Sequence, residues 1–440
     1  MLKLPEFFVT RMTSHLGADA VPFFEALDKD PPVSLRLNPF KPSSVFDGHE
    51  LVPWCEKGRY LQERISFTLD PLFHAGCYYV QEASSMYLEC VINKHLNTES
   101  PLRVLDLCAA PGGKSTHLLS LIPEGSLLVS NEPIPSRNNI LRDNLSKWGL
   151  ANVVVVQNQA KDFQSLTHYF DVVLVDAPCS GEGLFRKNHE AVNEWSEENL
   201  AMCSHRQQNI LEEILHCLKP GGLLIYSTCT FNPAENDEVC SVLEKNELVE
   251  LLKLDALHGA VTTKCGLQMY PHKVQGEGFY LAAMRKISDG QEPMTMKRPK
   301  QKPVSLKSIG SWLKNADKFQ LESNKDLFFA IPNHICDDIA ILRSHLFVRK
   351  AGIFIGSLTG DDLIPSQELA MFVGRADQLP SIELPLEEAL RYLRGEALPN
   401  GNQVKGWCIA NYNGHALGWM KGVGNRFNNS YPKELRIRNL

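Results

Sequence analysis

The chain has 440 residues, of which 43% are hydrophobic and 22% charged, with a formal net charge of −6. That length is enough for two or three domains, and its average composition excludes collagen-like, coiled-coil and largely disordered architectures. No apolar run reaches the about 18 residues of a membrane-spanning helix. The opening MLKLPEFFVTRMTSHLG has neither the apolar core nor the small-residue cleavage site of a signal peptide, so a soluble, cytoplasmic protein without membrane contact is expected.

Charge is unevenly spread. From Arg285 to Lys307 there are seven basic residues against two acidic ones, and from Lys421 to Leu440 five against one, which leaves the rest of the chain at −15. Two basic segments on an acidic body suggest local contact with a polyanion. The 12 cysteines contain no C-x-x-C pair. Paired zinc-ligand spacing is therefore missing, no ligand cluster is apparent and no metal is expected. Most of these thiols should be small buried hydrophobes.

In chain order, residues 1–95 mix short amphipathic pieces with Pro/Asp/Gly loops and read as a small N-terminal α+β domain. Residues 96–286 alternate β-branched or leucine-rich runs with longer helical patterns, the signature of a parallel sheet flanked by helices. Strands are expected at Leu102–Leu107, Ser126–Asn131, Val153–Gln157, Val172–Asp176 and Leu223–Ser227, with a late pair ending near Phe279–Met284. Helices are expected near 114–122, 136–148 and 194–218, the last closed by a Lys219-Pro220-Gly221-Gly222 turn. A basic linker, 287–308, leads to a C-terminal region, 309–440. Its end, GWCIANYNGHALGWMKG, reads as two strands joined by an Asn413-Gly414 turn.

Chemistry-bearing residues gather at the carboxyl ends of the expected strands, the edge where open α/β sheets bind ligands. The first strand runs into Cys108-Ala109-Ala110-Pro111-Gly112-Gly113-Lys114, whose small residues let the backbone approach a ligand at a helix N-terminus. This is neither G-x-G-x-x-G nor a P-loop. The second strand ends in Glu132, placed to accept hydrogen bonds from a ribose diol, and the third in Asn158-Gln159, near where an adenine edge would lie. Together they describe an adenosyl-type site. The fourth and fifth strands end in Asp176-Ala177-Pro178-Cys179 and Ser227-Thr228-Cys229, placing two thiols on the same edge.

These motifs carry a resemblance. CAAPGGK, Asn131-Glu132, DAPCSGEGLFRK, Arg206-Gln207, PGG with YSTCTFNPAEN, HKVQGEGFYLAAMR and GCYYVQEASSM resemble the Nop/Sun family of S-adenosylmethionine-dependent RNA cytosine-carbon-5 methyltransferases over most of 30–285. The C-terminal region resembles that of the bacterial RsmF-like group acting on small-subunit (16S) rRNA, and its end resembles a PUA-type RNA-binding module. The resemblance implies a Rossmann-like methyltransferase domain, S-adenosyl-L-methionine as cofactor and RNA, rRNA or the 30S particle, as partner of a monomer. It further implies Cys229 as nucleophile, Cys179 as the residue assisting release and Asp176 beside the base. Cofactor contacts would come from Cys108, Ala109, Ala110, Pro111, Gly112, Gly113, Lys114, Glu132, Gln159 and Asp176.

One departure is Gln159, where the family usually has an acid that contacts the adenine amino group; a glutamine oxygen can accept that bond. Attack by Cys179, as in DNA cytosine methyltransferases, fits less well, because Ser180 follows where those enzymes usually carry glutamine. Lys114 and Arg186 are candidates to lower a thiol's pKa, and Tyr78, Tyr79 and Phe185 to stack on an extruded base. Two other functions remain open: the same chemistry on tRNA, and a ribosome-assembly factor that binds RNA without catalysis.

Overall fold

The computed structural model describes residues 3–438 except 97–98, 289, 291, 293, 295–306, 361 and 402. Most of the basic linker 287–308 therefore lies outside the described residues.

The N-terminal region holds α1 (Glu6–Leu16), α2 (Ala20–Leu27), β1 (Val33–Leu37), β2 (Gly58–Leu61), α3 (Pro71–Ala75), β3 (Tyr78–Val80) and α4 (Leu88–His95). Its strands form an antiparallel sheet in the order β2-β1-β3. Phe8, Met12, Phe23 and Leu27 of α1 and α2 are buried together with Phe185, Phe231 and Tyr270. The amphipathic start of the chain thus covers loops that follow the central strands.

The middle of the chain supplies β4 (Arg103–Asp106), α5 (Gly113–Leu121), β5 (Leu127–Asn131), α6 (Pro135–Trp148) and β6 (Val153–Val156). It continues through β7 (Phe170–Asp176), α7 (His189–Glu194), α8 (Glu197–Leu215), β8 (Leu218–Thr228) and α9 (Asp237–Lys245). Short strands β9 (Val249–Leu251), β10 (Val261–Thr262) and β11 (Leu267–Met269) precede the long β12 (Phe279–Lys286). Strands β6-β5-β4-β7-β8 run parallel and β12 adds antiparallel to β8. A parallel sheet is covered on both faces, so its strands read as unbroken apolar runs; Val153–Val156 is buried at every position. Neighbours of β4 are reached by connections on opposite sides, which makes the loop after β4 the topological switch point.

Two expected boundaries shift. The long helix expected at 194–218 is α8, which starts at Glu197 because Ser196 caps it by accepting the Asn199 amide at 3.1 Å, and which ends at Leu215. Lys219–Gly222 does not stand between helix and strand. It lies inside β8, where the register slips from Phe170 opposite Leu218 to Val172 opposite Leu223 and Gly221 takes φ +73°.

The C-terminal region contains α10 (Lys307–Gly310), β13 (Phe319–Asn324), β14 (Leu327–Pro332), α11 (Cys336–His345), β15 (Val348–Ala351), β16 (Ile353–Thr359), β17 (Asp362–Pro365) and α12 (Gln367–Met371). Then come β18 (Ser381–Glu383), α13 (Leu386–Leu393), β19 (Leu398–Pro399), β20 (Gly406–Tyr412), β21 (His415–Val423) and β22 (Arg426–Asn429). A four-stranded sheet, β13-β14-β16-β17, accompanies a five-stranded one, β18-β20-β21-β22-β19. The hairpin β20–β21 turns at Asn413 and Gly414, with φ +48° and +76°, as a tight hairpin requires.

This region is not detached. Strand β15 pairs antiparallel with β6 and forms the edge of the central sheet. Ile335, Ile339 and Leu342 share the core of one sheet face with Val154 and Val156. Leu35, Leu37 and Tyr78 of the N-terminal sheet share a core with Tyr392, Cys408 and Met420.

Candidate active site

Strand β4 ends at Asp106, and the 108–114 segment turns at Gly112, with φ +113°, into α5. There is little spare room at this turn. A Cβ on Gly112 would stand 3.3 Å from the Leu141 side chain, and one on Gly113 would stand 3.3 Å from the Tyr79 ring. Tyr79, Gln81 and Glu82, on and just after β3, wall a cleft of about 160 Å³ whose other side is Cys108–Pro111, Gly113, Lys114 and Asp176. The N-terminal sheet therefore completes the cleft. Of the aromatics considered for base stacking, Tyr79 lines it, whereas Tyr78 and Phe185 are core residues at 1% and 0% exposure.

Three carboxylates stand at the carboxyl ends of β4, β5 and β7, and Asp176 lines the cleft itself. Asp106 is fully buried; Ser115 Oγ donates to its Oδ2 at 2.6 Å, while Oδ1 has no partner among the described residues. Burial pushes its carboxyl up to about 7. Glu132, buried at the end of β5, accepts the Ile134 amide at 2.9 Å. Arg137 lies 3.4 Å from its other oxygen and donates to Ala110 O at 3.1 Å, tying this carboxylate to the loop. Asp176, at the end of β7, accepts Ser227 Oγ at 2.7 Å and meets Lys114 Nζ at 2.8 Å. Burial alone would lower the Lys114 ammonium, but Asp176 and Asp106 outweigh it and hold the group above the ordinary lysine range.

Gln159 stands apart from these residues. It is exposed and closes a capping box with Asp162 over the turn at Ala160–Ser165.

Strands β7 and β8 are parallel neighbours with Asp176 opposite Ser227, so the loops that follow them bring two distant thiols together. Cys179 Sγ and Cys229 Sγ are 3.1 Å apart. The Cys229 hydrogen bond, followed by burial, raises Cys179 well above the ordinary thiol range. Lys114 is close enough to Cys229 for the two to interact electrostatically. Arg186, the other cation considered for thiol activation, is committed elsewhere: its Nη2 donates to Glu277 Oε1 at 2.9 Å and to Gly276 O at 2.8 Å.

Residues not singled out from the sequence hold the Cys179 loop in place. The buried Glu235 carboxylate accepts Ser180 N at 2.8 Å, Ser180 Oγ at 2.5 Å and Gln207 Nε2 at 3.1 Å. Gln207 also donates to Pro178 O at 2.9 Å. Gly183 N donates to Cys229 O at 2.8 Å, and a Cβ on Gly183 would collide with the Gly278 carbonyl at 2.5 Å. Gln207 and Glu235 lie inside the RQ and NPAEN motifs, so their signal was present without a role attached.

Comparison with known proteins agrees with this architecture. A family model for 16S rRNA methyltransferase RsmB/F matches residues 93–285, one for the N-terminal domain of 16S rRNA methyltransferase RsmF matches 4–83, and one for the methyltransferase RsmF PUA domain matches 379–437. Ribosomal RNA small subunit methyltransferase F of Aliivibrio salmonicida is 32% identical, over 98% of this chain and 97% of that protein. Its namesake in Aeromonas salmonicida is 32% identical over 99% and 98%. Among solved structures, a methyltransferase homolog from Pyrococcus horikoshii is 31% identical, with a TM-score of 0.56 over 65% of this chain and 96% of that one. With a methyltransferase sheet, the N-terminal domain and the PUA domain all accounted for, this chain belongs to the ribosomal RNA small subunit methyltransferase F family of RNA methyltransferases.

Proposed function

We propose that the protein methylates carbon 5 of a cytosine in small-subunit rRNA, with Cys229 as covalent nucleophile, Cys179 as the residue that assists release and S-adenosylmethionine as methyl donor. The observation that carries this reading is the 3.1 Å approach of Cys179 and Cys229 beside the Lys114–Asp176 ion pair.

S-adenosylmethionine fits the cleft on its donor set. Its sulfonium is a cation, and Asp106, Glu132 and Asp176 supply the opposite field. The unpartnered Asp106 Oδ1 can accept from its amino end, Glu132 can take its ribose hydroxyls, and the Gly112–Gly113 backbone leaves no side chain in its path. Cys108, Ala109, Ala110, Pro111 and Lys114 would line the same pocket. Gln159 would reach it only by giving up its capping bond. When bound, the cofactor supplies a methyl group on a positively charged sulfur.

The chain's own residues do the rest. Carbon 5 of cytosine is a poor nucleophile. A thiolate on Cys229 adds to carbon 6, which pushes the double-bond electrons onto carbon 5 and makes it enamine-like. Lys114 supplies a cation close to the attacking sulfur, and Asp176 is positioned to hold the polar edge of the base. After methylation carbon 5 carries an extra proton. Cys179 removes it, the electron pair re-forms the 5,6 double bond, and the Cys229–carbon 6 bond breaks. The Cys179 proton is held first by its bond to Cys229. Once Cys229 is bonded to carbon 6 that cause disappears, the half-buried Cys179 thiol gives its proton to water, and the resulting thiolate is the base at the step that needs one.

The test is Cys179→Ala expressed in cells. RNA covalently attached to this variant, and absent when Cys229→Ser is added, is the expected result. A Cys179→Ala protein that folds, binds S-adenosylmethionine and carries no RNA would overturn the assignment of the two thiols. Sequencing the attached RNA distinguishes small-subunit rRNA from tRNA.

A further inference from the structure

We propose that Cys55, Glu89 and His117 form a binding site for one zinc ion. They come from three separate segments: the turn between Val52 and Gly58, the first turn of α4, and the middle of α5. Cys55 Sγ lies 3.8 Å and Glu89 Oε2 3.0 Å from the same ring nitrogen, His117 Nε2. All three donor atoms lie within 4.8 Å of one another.

Without a metal, the Glu89 carboxylate accepts from both the Cys55 thiol and His117, so two protons occupy the space between the three donor atoms. A single ring nitrogen has one proton or one lone pair, so it cannot make linear bonds to both a sulfur and a carboxylate oxygen. A relay triad would use both ring nitrogens, and here Nδ1 has no partner among the described residues. Moving the ring proton to Nδ1 leaves the Nε2 lone pair pointing where sulfur and oxygen also point. Tetrahedral zinc, with bonds of about 2.0–2.3 Å, would set sulfur and nitrogen about 3.5 Å apart and nitrogen and oxygen about 3.3 Å apart. The observed separations lie about 0.3 Å to either side.

The donor chemistry selects zinc over harder ions. One thiolate, one imidazole and one carboxylate form a borderline-soft set, whereas magnesium and calcium want oxygens alone. Zinc binding requires the Cys55 thiol to give up its proton. Zinc would displace that proton, and the two ligand charges would balance the ion. Cys55 and His117 are 2% and 1% exposed, whereas the Glu89 side chain is 12% exposed and leaves an approach for a water as fourth ligand. His117 lies one turn beyond Lys114, so the ion would clip the N-terminal region to the helix that begins with the cofactor loop.

The test is a cobalt titration of the full chain after chelation, in a Cys179→Ser/Cys229→Ser background that removes the other thiol pair. One cobalt per chain with a thiolate charge-transfer band is expected. Adding Cys55→Ser should abolish the band, and adding Glu89→Gln should weaken binding at least tenfold. Zinc should raise the melting temperature of the background protein and leave that of the Cys55→Ser version unchanged. A background protein that titrates without the band, or a band that survives Cys55→Ser, overturns the site. If Cys55→Ser fails to fold, the milder Glu89→Gln decides, and unchanged cobalt affinity there overturns it.

Discussion

Two sulfurs 3.1 Å apart at the ends of neighbouring parallel strands are not chemically independent. Their spacing makes a direct prediction: one equivalent of hydrogen peroxide should convert the pair to a disulfide, releasing two waters and removing two hydrogens from the protein's mass. Methylation should stop and return with dithiothreitol. A Cys179→Ser protein that loses the same two hydrogens would contradict it. Asp106 permits a second prediction. Its carboxyl is raised from 3.8 to about 7 by burial, so its contribution to stability is full below about 3.8 and is lost as pH rises through about 7. Asp106→Asn, unable to ionise, should remove a fall on the order of 2–4 kcal/mol in unfolding free energy over that window. Denaturant unfolding of both proteins at pH 5 and pH 8 checks it. Identical slopes against pH would contradict it.

At the scale of elements, the thiols are held by parts that carry no chemistry of their own. Glu235, in the turn ahead of α9, and Gln207, on α8, fix the Pro178–Ser180 loop through four hydrogen bonds. Glu235→Ala leaves the half-buried Ser180 amide without an acceptor and removes one of the two acceptors of Gln207 Nε2, which costs about 1–3 kcal/mol. It also frees the Cys179 loop. We expect methylation of rRNA to fall more than melting temperature alone predicts, and full activity in a destabilised variant would rule out positioning. The β20–β21 hairpin gives a purely conformational case. Gly414 sits at φ +76°, and Gly414→Val should cost roughly 1–2 kcal/mol from left-handed backbone strain. Chemical denaturation reads that directly.

The whole molecule is organised by contacts distant in sequence. The central sheet takes its edge strand, β15, from beyond residue 309, and strands from both ends of the chain share one core. We propose the ranges 1–95, 96–286 and 309–440 as functional divisions built on shared cores. Lys421, Arg426 and Lys433 are exposed on β21, β22 and the segment beyond, in the region matched by the PUA domain or its immediate surroundings. Reversing all three charges should weaken affinity for rRNA and reduce the salt dependence of binding by about one unit of slope per lost phosphate contact. Unchanged affinity and slope would show that RNA lies elsewhere.

The central architecture was legible from local pattern alone. Strands buried on both faces must be continuously apolar, and the polar residues Glu132, Asp176 and Cys229 mark the ends of such runs. The Asn413-Gly414 turn was legible for the same reason, since few residues accept left-handed backbone. Local pattern says nothing about which distant segments meet. It left Phe185 and Tyr78 as possible stacking residues, although packing of α1 and α2 and of the C-terminal region buries them. It placed Arg186 among the thiol-activating cations, although Glu277, 91 residues away, holds it. It offered Gln159 to an adenine edge without showing the capping bond that its side chain makes three residues away. The residue types and their order determined which chemistry the chain can perform. Tertiary structure decided which side chains meet to perform it, because burial, charge pairing and hydrogen-bond geometry act through space between residues that the sequence separates.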